Sequence, residues 1–116
     1  MKTSLPPTAD LRLIRAYVGE ADRVSEQRLY KVLDRSALDH GATTAIAIRG
    51  VMGLSRSGRI RRSRLFHHRE NLPVIVEAVG EAEAVSHIAA AWREVAPSAT
   101  MTVQRVWPDA HRRSPV

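Results

Sequence analysis

The feature that most constrains the fold is the order of six short segments with two kinds of pattern. Two segments, 25–41 and 81–97, carry apolar residues at helical spacing. Four are short and rich in aliphatic and β-branched residues, which is typical of strands: 11–19, 42–50, 72–80 and 99–107. The order strand–helix–strand–strand–helix–strand predicts an α+β, ferredoxin-like βαββαβ fold, with two helices on one face of a four-stranded antiparallel sheet.

Both predicted helices carry terminal signals. Ser25 is a candidate N-cap of the first helix, and Gly41 supplies a left-handed stop after it. His40 is expected in its last turn, where positive charge suits the helix dipole. Glu81 and Glu83 are expected in the first turn of the second helix. The predicted apolar stripes are Leu29, Val32, Leu33 and Ala37, and Val85, Ile88, Ala89 and Trp92.

The predicted strands are apolar on both faces. In the first strand, the alternation places Ile14, Ala16 and Val18 towards the helices and leaves Leu13 and Tyr17 on the other side. The third strand alternates in the same way. Two helices cover one face of a sheet, so the second face needs another partner. A symmetric oligomer is the simplest way to cover it.

The connection between the second and third strands is much longer than a hairpin needs. A hairpin loop usually takes about 2–5 residues, whereas residues 50–71 separate these two strands. We call residues 50–71 the arm. A connection of this length in a compact domain is usually either functional or without regular structure.

The arm also carries most of the positive charge. The formal net charge of the chain is +6, and the arm holds six arginines against one glutamate. The rest of the chain is therefore nearly neutral, and the concentrated charge indicates an anionic partner. We predict a partner-binding surface formed by Arg56, Arg59, Arg61, Arg62 and Arg64.

Two phosphate-binding interpretations of the arm differ in their support. Gly53 and Gly58 have the spacing of a phosphate-binding loop, but Arg59 replaces its lysine and Ile60 its hydroxyl residue, which argues against a nucleotide hydrolase. Nucleic-acid binding stays open as the alternative function, because the arginines can contact phosphates. The third predicted strand has no aromatic residue on which bases would stack.

Composition bounds the remaining possibilities. There is no cysteine, so disulfides and thiolate metal sites are excluded. The adjacent His67 and His68 do not converge on a metal, and no residues form a recognisable catalytic constellation, so we expect a non-enzymatic protein without a metal. The sequence shows neither a signal peptide nor a membrane span, which predicts a cytoplasmic protein that does not insert into membranes. We expect one domain over 10–107, with flexible ends at 1–9 and 108–116.

Three stretches, in this order, resemble the PII-like family known as domain of unknown function 190. They are LRLIRAYVGEADR, GATTAIAIRGVMGLSRSGRIR and RENLPVIVEAV. The resemblance covers roughly residues 10–107 and implies a PII-like fold assembled as a homotrimer, whose sheets line the interior. In PII-type proteins, the long loop after the second strand is a mobile arm. Binding of a small ligand, often an adenine nucleotide, between subunits changes its order, and the arm then docks on, or leaves, a transporter or enzyme.

The resemblance implies a ligand site at the base of the arm. Arg49, Gly50 and Gly53 are the candidate ligand-binding residues there, since glycines admit a ligand close to the backbone and arginine forks onto phosphate or carboxylate. Arg105 is a candidate additional cation. The two glycines could equally be turn residues, and Arg105 could be a solvent-exposed side chain. The expected effector is a small anion such as an adenine nucleotide, with no resident cofactor. The arm contains no tyrosine, which argues against uridylylation.

Overall fold

The computed structural model describes residues 9–54, 60–62 and 71–109. Its helices are α1 (Leu29–Asp39) and α2 (Ala82–Val95). The strands are β1 (Leu11–Gly19), β2 (Arg23–Val24), β3 (Gln27–Arg28), β4 (Thr44–Arg49), β5 (Met52–Leu54), β6 (Ile60–Arg62), β7 (Pro73–Glu81) and β8 (Thr100–Val106). None of the described helices is long and apolar enough to cross a membrane.

The central sheet has four strands in the order β4–β7–β1–β8, and every neighbouring pair is antiparallel. The hairpin partners β4 and β7 lie side by side, and β1 is placed between β7 and β8. This arrangement confirms the predicted ferredoxin-like fold.

Both helices pack on one face of the sheet, where the core lies. This face of β1 and β7 contributes residues that alternate along each strand, as predicted: Ile14, Ala16, Val18, Val74, Val76 and Ala78. The helices contribute Leu29, Leu33, Ala37, Val85, Ile88 and Trp92. The indole Nε1–H of Trp92 donates to the Leu33 carbonyl oxygen at 2.9 Å, which ties α2 to α1.

The opposite face of the sheet has no covering element among the described residues. We call it the open face; its residues are Leu13, Arg15, Tyr17, Thr44, Ile46, Ile48, Ile75, Glu77, Val79, Thr100, Thr102 and Gln104. Tyr17, Ile46 and Ile48 are 42%, 46% and 45% exposed. The prediction that strands are apolar on both faces is therefore confirmed.

The predicted start of the first helix was wrong. Helix α1 begins at Leu29, and Ser25 is a turn residue between the paired strands β2 and β3, not an N-cap. Ser25 and Glu26 have φ of 48° and 66°. The Asp22 carbonyl oxygen accepts from the Leu29 amide at 2.8 Å, which fixes the helix start after this small hairpin. Local cap preference was overridden by a turn whose two strands are too short to show a pattern.

The other terminal signals fared better. Gly41 has φ of 101° and provides the left-handed stop after α1. His40 is the C-cap residue, and its Nδ1 lies 2.8 Å from the Ser36 carbonyl oxygen, which can only accept. Glu83 lies in the first turn of α2, but Glu81 is the last residue of β7 and precedes the helix.

Part of the arm is regular. Strands β5 and β6 form an antiparallel pair in which Gly53 is opposite Arg61 and Met52 is opposite Arg62. A phosphate-binding loop runs from a strand into a helix, so this pairing agrees with the rejection of that motif. The remaining arm arginines Arg56, Arg59 and Arg64 lie outside the described residues, as do 1–8 and 110–116 of the predicted flexible ends.

Candidate functional site at the base of the arm

The arm leaves and rejoins the sheet at adjacent points. The Gly50 amide donates to the Pro73 carbonyl oxygen at 2.8 Å, which continues the β4–β7 pairing by one residue. A Cβ atom at Gly50 would lie 3.1 Å from Pro73 Cγ, closer than carbon atoms normally approach. Gly50 therefore lets the two ends of the arm lie against each other.

The turn that follows β1 holds the returning end of the arm. The Glu20 amide donates to the Leu72 carbonyl oxygen at 2.7 Å, and the Ala21 amide donates to Asn71 Oδ1 at 2.7 Å. Asn71 Nδ2 in turn donates to Asp22 Oδ1 at 3.0 Å. Three hydrogen bonds thus join the end of the arm to a turn about 50 residues earlier in the chain.

Asp22 stabilises this turn from within. Its Oδ2 accepts from the Gly19 amide at 2.8 Å, and its own amide donates to the Gly19 carbonyl oxygen at 3.1 Å. The sequence left two roles open for Glu20 and Asp22, an acid pair or a turn. The structure favours the turn for Asp22, because its carboxylate bonds to backbone and to an amide side chain.

Arg49 meets this turn from the departing end of the arm. Its Nη2 lies 3.7 Å from Glu20 Oε2, at the outer limit of an ion pair. Glu20 is the more enclosed partner, with a side chain 22% exposed against 61% for Arg49. Arg28 Nη1 donates to the Glu20 carbonyl oxygen at 2.9 Å, which holds Glu20 from the backbone side. Arg49 is therefore a largely accessible cation beside a fixed carboxylate.

Arg105 lies at the other end of the sheet. It is opposite Arg12 on β1, whereas Arg49 is opposite Val74, which is opposite Val18. Six residues of β1 separate these positions, which at about 3.3 Å per residue is about 20 Å. One copy of the chain therefore does not bring Arg49 and Arg105 together, and a site that uses both requires two copies.

The surroundings of Arg105 form a separate group of charges. Its Nε lies 3.7 Å from Asp10 Oδ1, and its guanidinium lies 5.5 Å from the centre of the Trp107 ring. Asp10 also accepts from Arg12 Nε at 3.0 Å and from Arg12 Nη2 at 3.1 Å. The hydrogen bond from Arg12, with a smaller contribution from the charges of Arg12 and Arg105, lowers the pKa of Asp10.

An open cleft of about 330 Å³ also lies away from the base of the arm. It is lined by His40, Gly41, Thr43, Glu81, Glu83, Ala84 and His87. Within the described ranges, no group of three or more histidine, aspartate or glutamate side chains could hold a metal ion. The cleft therefore offers polar side chains but no metal centre in the described part of the chain.

Sequence reasoning missed several residues of the site. Arg28 and Asn71 act through hydrogen bonds to residues 8 and 49 positions away, which no local spacing reveals. Val51 and Met52, at the start of the arm, are 77% and 66% exposed, so the base of the arm is apolar as well as basic. Two large exposed apolar residues next to the basic segment were the available signal.

Comparisons with known proteins agree with this architecture. The family DUF190, described as "Uncharacterized ACR", matches residues 11–107. The UPF0166 protein of Aquifex aeolicus (strain VF5) is 31% identical over 74 residues, which are 64% of this chain and 70% of that protein.

Two solved structures have the same fold. A Thermus thermophilus protein assigned as PII-like signaling is 17% identical, with a TM-score of 0.64 over 86% of this chain and 90% of that one. CPII, a nitrogen regulatory PII-like protein from Thiomonas intermedia K12 bound to ADP, AMP and bicarbonate, is 11% identical, with a TM-score of 0.64 over 84% and 86% of the two chains. At these identities the likeness shows a PII-like fold.

Proposed function

This chain belongs to the DUF190 family, and we propose that it is a PII-like regulatory protein, not an enzyme, that senses a small anion and signals through its arm. The observation that carries the proposal is the base of the arm, where both ends of the arm, the turn after β1 and an accessible arginine meet. A ligand bound there would contact the residues that fix how the arm leaves the sheet. Binding would thereby be coupled to the arrangement of the arm.

The ligand proposed for this site is anionic. Arg49 presents a guanidinium that is 61% exposed, and Gly50 and Gly53 leave the backbone beside it uncovered by side chains. Arg105 of a neighbouring copy would supply a second cation, because one copy holds it about 20 Å away along β1. CPII is described with ADP, AMP and bicarbonate, so adenine nucleotides and bicarbonate are the first ligands to test.

The proposed assembly is a homotrimer that packs through the open face. Tyr17, Ile46 and Ile48 leave apolar surface in water in a single copy, and covering it is favourable by roughly 25 cal/mol per Å² of buried apolar area. Packing between copies would also create the clefts in which Arg49 and Arg105 meet. The arm arginines would then bind an acidic surface on a protein target such as a transporter or an enzyme.

Ligand binding is tested by thermal unfolding with ADP, AMP, ATP and bicarbonate added separately. A ligand at about 100 times its dissociation constant stabilises the folded state by about 2.7 kcal/mol, so we expect a rise of several degrees in Tm for at least one of them. Arg49→Ala should reduce this shift. The matched control is Arg35→Ala, which removes an equally exposed arginine paired with Asp39 on the outside of α1.

Limited proteolysis with trypsin reports on the arm itself. The ligand that raises Tm should also slow cleavage at the arm arginines, since binding orders the segment that contains them. A panel in which no anion changes either Tm or cleavage would contradict the proposed function.

Nucleic-acid binding by the same arginines is separated by salt. Affinity for DNA or RNA should fall by powers of ten between about 50 and 200 mM salt if several phosphates are contacted. The described part of the chain offers it no clear stacking surface, because Trp92 is fully buried and Tyr17 lies on the open face. Steeply salt-dependent binding without any ligand-induced change in Tm would favour this alternative.

A further inference from the structure

The centre of the open face holds one ion pair within apolar surroundings. Arg15 on β1 is directly opposite Glu77 on β7, and Arg15 Nε–H donates to Glu77 Oε1 at 2.9 Å. The neighbouring rows of the same face are the opposed pairs Leu13–Val79 and Tyr17–Ile75. The two charges are therefore bordered by apolar side chains in both directions along the strands.

The edges of the open face differ from each other. Strand β8 contributes Thr100, Thr102 and Gln104, all of them polar and exposed. Strand β4 contributes Ile46 opposite Glu77 and Ile48 opposite Ile75. The apolar surface thus spans β4, β7 and β1 and ends at a polar column, which is the pattern of an interface centre with a polar rim.

A second copy of this chain fits that surface because its charges are self-complementary. The face carries one cation and one anion at its centre, so each copy offers the counter-charge that the other requires. The side chains of Arg15 and Glu77 are still 34% and 22% exposed in one copy, and packing against another copy would remove that water. Desolvated charges are tolerated only when they are paired and hydrogen-bonded.

The bond within one copy leaves most of the arginine unused. A guanidinium has five N–H donors, and Glu77 accepts from the Nε–H. The hydrogen bond to Glu77 holds the pKa of Arg15 above its ordinary value, with a small contribution from Tyr17, so Arg15 stays charged. A carboxylate from another copy could accept from the terminal amino groups, the paired geometry that arginine favours.

We propose that, where two copies pack through the open face, Arg15 of one copy pairs with Glu77 of the next, and that this exchange fixes how the copies align. The inference rests on the assembly suggested under the proposed function. Apolar contact is non-directional, so Leu13, Ile48 and their neighbours would accept several alignments. Alignments that bury a charge without its counter-charge are excluded, which leaves those in which cation meets anion.

Charge reversal tests the exchange directly. Arg15→Glu places two carboxylates at the centre of the face, and Glu77→Arg places two guanidinium groups there. We expect each variant alone to need at least tenfold more protein to assemble than the wild type, measured by light scattering. An equimolar mixture should recover assembly, and native mass spectrometry should show oligomers that contain both variants.

Three further variants act as controls. The double variant R15E/E77R restores both charges and should assemble as the wild type does. Arg35→Glu reverses a charge in an exposed pair on α1, with side chains 78% and 62% exposed, and should leave assembly unchanged. Circular dichroism checks that the reversed variants fold; if they do not, Glu77→Gln keeps the shape of the side chain and should still weaken assembly.

The outcomes separate the two proposals. A wild-type protein that is monomeric at all accessible concentrations would overturn the assembly through the open face, and the exchange with it. A wild-type oligomer whose single variants assemble equally well, and whose mixture forms no oligomers containing both variants, would overturn the exchange alone. Mixed oligomers together with the loss of assembly in each separate variant support it.

Discussion

The two faces of the central sheet are both apolar, yet they have different tasks. The covered face meets two helices and buries Ile14, Val76 and Ile88 completely. The open face has Ile46 and Ile48 nearly half exposed and an ion pair at its centre. The covered face stabilises the single subunit, whereas the open face is available to a second copy. A residue of the same type should therefore have different effects on the two faces.

Matched isoleucine truncations should show the largest difference. Ile88→Ala removes a completely buried side chain from the core and should lower the free energy of unfolding by about 2–5 kcal/mol. Ile48→Ala, at a side chain 45% exposed, should lower it by less than about 1 kcal/mol. Urea denaturation at two protein concentrations measures both.

The concentration dependence sharpens this comparison. The effect of Ile88→Ala should be the same at both concentrations, because the core belongs to one subunit. That of Ile48→Ala should grow at the higher concentration, where assembly contributes to stability. Equal losses from the two variants at either concentration would contradict the division between the faces.

The two tryptophans give the next largest contrast. Trp92→Phe keeps an aromatic ring but removes the donor that bonds to the Leu33 carbonyl oxygen, leaving that oxygen buried without its partner. We expect a loss of about 1–3 kcal/mol of unfolding free energy. Trp107→Phe is the control, since Trp107 is 69% exposed and its replacement should change stability by less than about 0.5 kcal/mol. Thermal unfolding of both variants is the measurement.

Polar substitution on the open face should act on assembly. Ile46→Thr replaces an apolar side chain that is 46% exposed; at about 1 kcal/mol per copy, the concentration needed for assembly should rise several-fold. Val103→Thr is the control, because Val103 is similarly exposed but lies on the helix-bearing side of the edge strand β8. Sedimentation across a dilution series should separate them, and identical curves for the two variants would count against the open face as an interface.

The sequence predicted the faces better than it predicted the site. Alternation of residue types gave β1 its observed limits and sorted Ile14 from Leu13, because a strand's period is a local property. The start of α1 was missed, since the β2–β3 turn depends on a hydrogen bond between Asp22 and Leu29. The base of the arm was located from the length of the connection alone.

The contacts within that base could not be predicted. Asn71 bonds to a turn 49 positions earlier, and the contact follows from the sheet order and not from any spacing in the sequence. The separation of Arg49 from Arg105 likewise follows from the register of four strands. Sequence reasoning joined the two residues as one site, and the structure shows that only contact between copies can do so.

The smallest predicted effect concerns Asp34 on α1, a partly buried carboxylate on the helix layer that covers the sheet. Its Oδ1 is buried without a hydrogen-bond partner within the described ranges, and burial raises its pKa above the ordinary value of 3.8. The folded protein thus keeps this proton to a higher pH than the unfolded chain does. Below pH 3.8 both states are protonated and the group has no effect; as pH rises through the folded pKa, stability falls and stays lower.

Asp34→Asn removes the ionisation and with it this loss of stability. At pH 7 the variant should be more stable than the wild type by less than about 1 kcal/mol, because the side chain is only partly buried. At pH 3 the two proteins should unfold at the same urea concentration. An open-face carboxylate makes the contrast: Glu77→Gln breaks the bond to Arg15 and should destabilise at pH 7. A stabilising Glu77→Gln, or an Asp34→Asn that is equally stabilising at both pH values, would show that burial of charge does not distinguish the covered side from the open one.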